Sequence, residues 1–436
     1  MKPWRRGSTE SPFGSRTAKR SWNDRPQNKT GLQDMCERAV KTVLISGASI
    51  AGPALAFWLA RYGIDVTVVE KASSLRGGGY PVDVRGTAIE AVERMGLYAQ
   101  MRAAHVDTQS IGFVEANGAV VAKIDPEAIT GGVRGKDIEI RRGEIATTLY
   151  TATKDTTNYK FNDSIDALQE HADGVNVTFV SGETGTYDIV IGADGLHSNT
   201  RALVFGHESQ FERYIGYCFA GFTIPNTFGL DRGALAYALP GKNAVIYATN
   251  DGGPAFAFLV FKYPTSPFRK SLTDADKRDL TARMFEGVNG WIVPQMVGAM
   301  RTAKDLFFDS VSQIYMPVWS KGRVVLAGDA AHATSFMSGQ GSSMALVGAY
   351  VLAGEIATKA DYSSAFESYE KLVRPFVEMN QALVDKGKRT MIPDTQEEID
   401  ARNEMFRKMA AEAGGKVLEK DSSRLIHSAL TLADYG

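Results

Sequence analysis

The sequence predicts an α/β protein: a Rossmann-like dinucleotide-binding domain, an interleaved β-sheet domain, and helices at the C-terminal end. Two observations carry this. Apolar β-branched runs turn through glycines into helical runs at "VLISGASIAGPALAFWLARYG" and, nearly three hundred residues later, at "RVVLAGDAAHATSFMSGQG". Between them, "YIGYCFAGFTI", "GALAYAL", "NAVIYATN" and "PAFAFLVFKY" read as successive strands separated by Pro, Gly and Asn turns, which marks a separate antiparallel layer.

The elements follow in order. "KTVLISG" is a strand, Ile50 to Tyr62 a helix with Pro53 in its first turn and Gly63 as its stop, and "DVTVVE" a second strand ending at Glu70. Together they form the βαβ unit expected at the start of a dinucleotide-binding domain. "TAIEAVERMGL" and "RRGEIATTLYTAT" read as helices, and "VNVTFVSG" and "TYDIVIGADG" as strands. Beyond the β-rich layer, "DADKRDLTARMFEG" and "IVPQMVGAMRTA" are helical, and a strand region reaches the second glycine-rich junction. Ala365 to Leu418 is helical and charged, with Pro375 and Pro393 as breaks. Phe366, Tyr369, Leu372, Phe376, Met379 and Leu383 form its expected apolar stripe.

Composition narrows the ligand. The 436 residues are 44% hydrophobic with a net charge of −1, and Lys and Arg are scattered, so no footprint for nucleic acid or an anionic membrane is visible. A small molecule is the expected partner, with the chain a monomer or homodimer. Two cysteines, Cys36 and Cys218, lack metal-ligand spacing, so neither a disulfide framework nor a metal site is expected. That fits a reducing, cytoplasmic setting. Thr42 to Ala60 and Val324 to Gly354 are nearly uncharged, but glycines split each into strand, turn and helix, which suits elements buried on both faces of a sheet rather than membrane spans. Residues 1–40 carry nine Lys or Arg against four acids and read as a disordered tail. A start misassigned ahead of Met35 and an organelle-targeting segment are the alternatives.

Three motifs carry chemistry. Gly47-Ala48-Ser49-Ile50-Ala51-Gly52 is G-x-G-x-x-G with Ser in the middle position. Small residues there let backbone N–H groups and a helix N-terminus approach a pyrophosphate. Glu70, at the end of the second strand, suits ribose hydroxyls and argues for adenosine rather than a 2′-phosphate. The second motif, "VIGADGLHSNTR", holds Asp194, Gly195, Ser198 and Arg201, and the third holds Gly328, Asp329 and Gly339-Gln340-Gly341.

In this order the motifs resemble the class A FAD-dependent monooxygenases related to p-hydroxybenzoate hydroxylase, over roughly Thr42 to Arg374, with Arg142 in "IEIRRGEIATTL" matching the family's Arg ahead of a helix. The resemblance implies noncovalent FAD, NAD(P)H as transient reductant and O₂ as cosubstrate, with one oxygen passing to a small aromatic or polyketide-like substrate from a flavin C4a-hydroperoxide. It implies that the first motif, with Glu70 and Lys71, binds the ADP part, and that Arg85, Arg142, Asp194 and Gly195 serve FAD. Gly328, Asp329, Gly339, Gly341 and Ser342 are then expected along the ribityl chain and flavin edge, with the helix after Gly341 stabilising anionic reduced flavin.

The implied division is an FAD-binding domain at 41–110, 140–210 and 317–364, a substrate domain at 111–139 and 211–316, and a C-terminal helical region at 365–436. Many family members carry Pro-Pro where this chain has Ser335-Phe336, and Asn and Asp where it has Ser343 and Gly348. "GQGSSMALVGAYVLAGEI" looks closer to the branch with tetracycline-inactivating monooxygenases and polyketide hydroxylases. In the former a C-terminal helix bridges the two domains, a role the resemblance suggests for Val373 to Lys386.

Phe219, Phe222, Tyr237, Phe258 and Phe336 are the candidates to line the substrate cavity, against ordinary packing into a core. His332 is a candidate general base by its ordinary pKa, against a structural role in its loop. Arg85 suits either a flavin or substrate contact or an ion pair. Three other functions stay open. A flavin-dependent halogenase shares the fold, although "GWIVP" lacks the Trp two positions before Trp291 that its W-x-W-x-I-P signature needs. An FAD reductase and a non-enzymatic flavin- or drug-binding protein also fit the motifs.

Overall fold

The computed structural model describes residues 40–75, 77, 79–249, 252–267, 272–412 and 422–436. The tail expected at residues 1–40 lies almost wholly outside them. Two sheets organise the rest.

The first sheet runs in the order Ser320–Lys321, Val324–Leu326, Ile189–Gly192, Thr42–Ser46, Asp65–Glu70, Asn158–Phe161. Its central pairs are parallel, and only Ser320–Lys321 runs against its neighbour. Its central strands are buried on both faces; Val43, Ile45, Val190 and Val325 are inaccessible. The helices Ala51–Arg61 and Gly341–Thr358 pack on it and on each other. Gly52 lets the first helix close against the turn that precedes it, since a Cβ there would stand 1.9 Å from the Gly47 carbonyl oxygen.

The second sheet has seven strands in the order Phe307–Ile314, Glu212–Ile224, Ala255–Lys262, Lys242–Ala248, Gly233–Leu239, Ser110–Val114, Val120–Ile124. All pairs are antiparallel except Gly233–Leu239 beside Ser110–Val114. One face packs under the helices Asp274–Met284 and Val293–Thr302. The other looks toward the glycine-rich junctions.

The C-terminal region joins the two sheets. Helix Tyr362–Gln381 lies on Gly341–Thr358, and Pro375 sits inside it without ending it. Its buried stripe is Phe366, Tyr369, Val373, Phe376, Val377 and Asn380, whereas Leu372 and Met379 of the expected stripe are exposed at 41% and 37%. The rows meeting the neighbouring helix follow alternating spacings of three and four, which carry the seam past those two positions. Helix Val384–Met391 then crosses to the second sheet, where the Asn243 amide donates to the Met391 carbonyl at 2.6 Å and Tyr217 donates to Asp394 at 2.5 Å. Helix Gln396–Glu412 packs Phe406 against Phe113, with ring centroids 4.4 Å apart. The last residues return to the first layer, where Thr87 donates to the Leu430 carbonyl and Tyr435 to Glu355, each at 2.7 Å. Among the described residues no helix is long and apolar enough to cross a membrane.

Gly387 in this crossing helix would place a Cβ 2.0 Å from the backbone oxygen of Met337. Gly387→Ala is therefore expected to push the helix off the Phe336–Ser338 turn and remove ~1–3 kcal/mol of stability. A lowered melting temperature by circular dichroism checks this; an unchanged one would show that the two segments part freely.

Candidate active site

All three motifs meet at the ends of the parallel strands, where a doubly wound sheet leaves its crevice. Ser49 accepts a hydrogen bond from Arg142 at 2.9 Å, which ties the first motif to the helix Arg142–Thr153. The Glu70 carboxylate accepts from the Ala48 and Ala72 amides, each at 2.9 Å, so it holds the motif's turn while keeping lone pairs for a ribose. A cavity of about 200 Å³ opens here, lined by Gly47, Ser49, Glu70, Lys71, Arg142 and Asp194 among others.

The second motif is turned inward. Asp194 accepts from Ser46 at 3.4 Å, from the Thr200 amide and hydroxyl at 2.9 Å each, and from Ser198. Its carboxylate therefore fastens the start of the helix Asn199–Phe205, leaving Gly195, at φ +85°, to bring backbone to the cavity wall. Arg201, fully buried, donates to the Ala330 carbonyl at 2.9 Å and pairs with Glu208 at 2.7 Å, locking the second motif to the third. His197 sits between Glu208 and Asp309 at 2.9 Å from each, and those carboxylates lift its pKa to about 10 against the opposing cost of burial.

The third motif differs, because the Asp329 carboxylate accepts no hydrogen bond among the described residues. It faces a second cavity of about 570 Å³, with Gly339 and Gly341 keeping the wall beside it bare of side chains, whereas Gly328 lines neither cavity and packs between Ala51 and Ala345. Asp329 meets solvent through that cavity, yet the surrounding protein raises its pKa by desolvation and the Arg142 guanidinium opposes the rise. Ser49, Lys71, Arg142, Asp194 and Gly195 line both cavities, so the two form one continuous groove. Ile50, Ala51 and Ser342 line the larger one; Gly52 lies behind it as a packing residue.

The roof is aromatic. Tyr80, Phe219, Phe258, Phe307 and Phe336 line the larger cavity. Phe219 stacks on Phe336 at 4.8 Å, and Tyr80 meets Phe258 edge-on at 5.5 Å. Ser335 holds φ +80°, a region that side chains other than glycine rarely adopt, and so presents Phe336 to this cluster.

Two of the five aromatic candidates are elsewhere. Phe222 is an odd number of positions from Phe219 on the same strand, so it points to the opposite face and packs with Cys218 and Ala220 beneath the helices. Tyr237 shares that face, edge-on to Trp291 at 6.4 Å, while Ala234 and Ala236 of its strand look into the cavity.

His332 also departs from the general-base expectation. It is 2% exposed, lies 4.7 Å from the Trp319 ring and 3.4 Å from the Tyr369 hydroxyl, and does not line the cavity. Burial drives its pKa down to about 4, so it is a neutral packing residue. The unfolded chain, with an ordinary pKa near ~6.5, binds more protons than the fold between these values, so stability falls as pH drops from neutral toward 4. His332→Phe should abolish about 2 kcal/mol of the wild-type stability loss between pH 7.5 and 5. Urea midpoints at the two pH values test this; parallel losses in both proteins would sink it.

Arg85 is both a cavity residue and an ion-paired one, joined to Asp83 at 2.6 Å. The sequence reading missed Asp83, Tyr80, Phe307 and Tyr247 on this wall. Phe307 stands opposite Gly221 on the neighbouring strand and so meets Phe219 diagonally, with ring centroids 5.6 Å apart, a contact visible only once the register is known. Leu383 and Met391 add a wall from the C-terminal region.

The family profile described as "FAD binding domain" matches residues 41–383. An uncharacterized protein of Mycobacterium tuberculosis is 42% identical over 363 residues, covering 83% of this chain and 97% of that protein. A flavin-dependent monooxygenase from an unknown prokaryotic organism is 39% identical over 343 residues, covering 78% of this chain and 88% of its own. The crystal structure of tetracycline destructase Tet(55) superposes with a TM-score of 0.78 at 34% identity, covering 92% of this chain and all of the other.

Proposed function

The chain belongs to the FAD-binding-domain family of flavin-dependent monooxygenases, and from that premise we propose that it hydroxylates an aromatic or polyketide-like small molecule with NAD(P)H as reductant and O₂ as oxygen source. The observation that carries this reading is the continuous groove in which the Asp329 carboxylate, without a hydrogen-bond partner among the described residues, stands next to an aromatic roof.

FAD fits that groove. The backbone of Gly47 to Ala51 and the start of the helix Ala51–Arg61 would hold its pyrophosphate, with Arg142 adding positive charge and Glu70 accepting from the adenosine ribose. Asp329 would accept a ribityl hydroxyl, ending the isolation of its carboxylate. The N-terminus of the helix Gly341–Thr358, at the bare Gly339 to Gly341 wall, favours negative charge on the adjoining flavin edge. Bound FAD supplies the redox chemistry, accepting hydride and activating O₂ for transfer of one oxygen atom.

The remaining work is positioning. Tyr80, Phe219, Phe258 and Phe336 offer ring faces that hold a planar substrate in a fixed orientation. Leu383 and Met391 close the far side with apolar surface, which keeps water from the reacting atoms. Tetracycline inactivation is the specific activity favoured within this class, on the likeness to Tet(55).

The test uses the purified yellow protein with NADPH or NADH and a panel of phenols, aromatic polyketides and tetracyclines. Substrate-dependent NAD(P)H consumption and a product heavier by one oxygen atom drawn from labelled O₂ are expected. Reductant use that no aromatic accelerates, or a product without label, would overturn the reading.

A further inference from the structure

The larger cavity continues beyond the aromatic roof. Its wall follows the inner face of the second sheet through one cross-strand row, Phe258, Val245, Ala236 and Phe113, and a second row, Tyr247, Ala234 and Ile111. Phe258 meets Tyr80 at 5.5 Å and Phe336 at 5.7 Å, beside the third motif. Phe113 stands three strands further on, which at ~4.8 Å per strand is about 14 Å across the sheet.

The middle of this wall is a slot. Ala234 and Ala236 face inward two positions apart on the strand Gly233–Leu239, with Leu235 between them on the opposite face. The paired positions on either side carry larger side chains: Val245 and Tyr247 on one strand, Ile111 and Phe113 on the other. The floor therefore lies a side chain's depth below both flanks. The flanking backbones are about 10 Å apart, and their side chains narrow that space, so the slot suits a single hydrocarbon chain rather than a fused ring laid flat. At one corner Phe113 is fixed by Phe406, with ring centroids 4.4 Å apart. Floor and flanks are hydrocarbon apart from Tyr247, whose hydroxyl is bonded to Thr108. Alanine is also a poor strand former, and space left above a buried small residue forfeits packing that a larger one would supply. A ligand that fills the slot restores that packing.

We propose that the slot over Ala234 and Ala236 is an accessory subsite for an unbranched alkyl chain carried by the aromatic ring, so that alkylated phenols and resorcinols are among the substrates. The ring sits under the aromatic roof and the chain lies along Gly233–Leu239. This rests on the proposed monooxygenase function and adds a substituent to its substrate class. The slot lies outside the aromatic compartment, so a fused-ring substrate held there leaves it empty.

The experiment titrates the FAD-loaded protein with 5-methylresorcinol and 5-pentylresorcinol by isothermal calorimetry. A fully buried methylene strengthens binding about fourfold, so wild type is expected to prefer the pentyl compound by at least about thirtyfold. In Ala236→Leu, which fills the slot, that preference should fall to about threefold or less with flavin content unchanged. Ala234→Leu carries the same test if Ala236→Leu does not fold. Equal affinities in wild type, or a preference kept by the folded variants, overturn the proposal. So does loss of FAD from folded variants, which would put the slot against the cofactor. Product analysis separates the two readings. If wild type oxygenates no aromatic, the monooxygenase function fails whatever the affinities; oxygenation without the chain-length preference removes the subsite only.

Discussion

Asp329→Ala is expected to purify largely colourless. The carboxylate accepts no hydrogen bond among the described residues, so its removal costs none of them a partner, and the effect is expected to fall on the bound cofactor. A hydrogen bond to a charged acceptor contributes ~1.5–3 kcal/mol, so FAD retention should fall by roughly tenfold or more. The ratio of flavin to protein absorbance after gel filtration measures it, and the melting temperature of the FAD-free protein controls for folding. Wild-type flavin content in the variant would remove Asp329 from the cofactor site.

Deleting everything after Arg374 is expected to prevent folding. The deleted part contributes Phe376, Val377, Val384, Ile392, Ile399 and Phe406, each 4% exposed or less. At ~1.5–3 kcal/mol per buried side chain their loss is on the order of 10–20 kcal/mol, comparable to the whole stability of a typical domain at ~5–15 kcal/mol. It also strips Gln313 and the Ile314 and Ala333 carbonyls of their bonds to Gln381 at 2.8, 2.9 and 3.1 Å, which thins the hydrogen bonding of a buried polar cluster. Insoluble, flavin-free protein is the expected outcome in an expression and solubility assay. A soluble, yellow truncation that spends NAD(P)H on hydrogen peroxide would instead confine this segment to closing the cavity.

Much of the fold is legible along the chain. The strands and helices around the first junction, the four β-rich runs and the two helices after them stand where the periodicity and turn residues put them. These signals are local: a glycine at a forced turn, an alternation of two, a spacing of three and four. The C-terminal stripe shows their limit. Leu372 and Met379 satisfy helical spacing as well as Val373 and Val377 do, and only the partner helix selects which row is covered.

The candidate site divides in the same way. The three glycine-rich junctions announce themselves in sequence, because a close backbone approach requires small residues at fixed offsets. What each acid does there is not written in its motif: Asp194 is consumed by its own loop, whereas Asp329 is left unpartnered. His332 follows Asp329 closely in the chain and still packs away from the cavity.

By itself the sequence determined an α/β protein with a nucleotide crevice, a β-rich second layer and the position of the phosphate-approaching turns, since each depends on conformations that a few neighbouring residues impose. The tertiary structure decided the face on which Phe219 and Phe258 part from Phe222 and Tyr237, the pairing of Asp83 with Arg85, and the return of the C-terminal helices over the cavity. Those outcomes depend on what lies across a sheet or beneath a helix, and burial is a property of two surfaces that meet, which one segment's periodicity cannot specify.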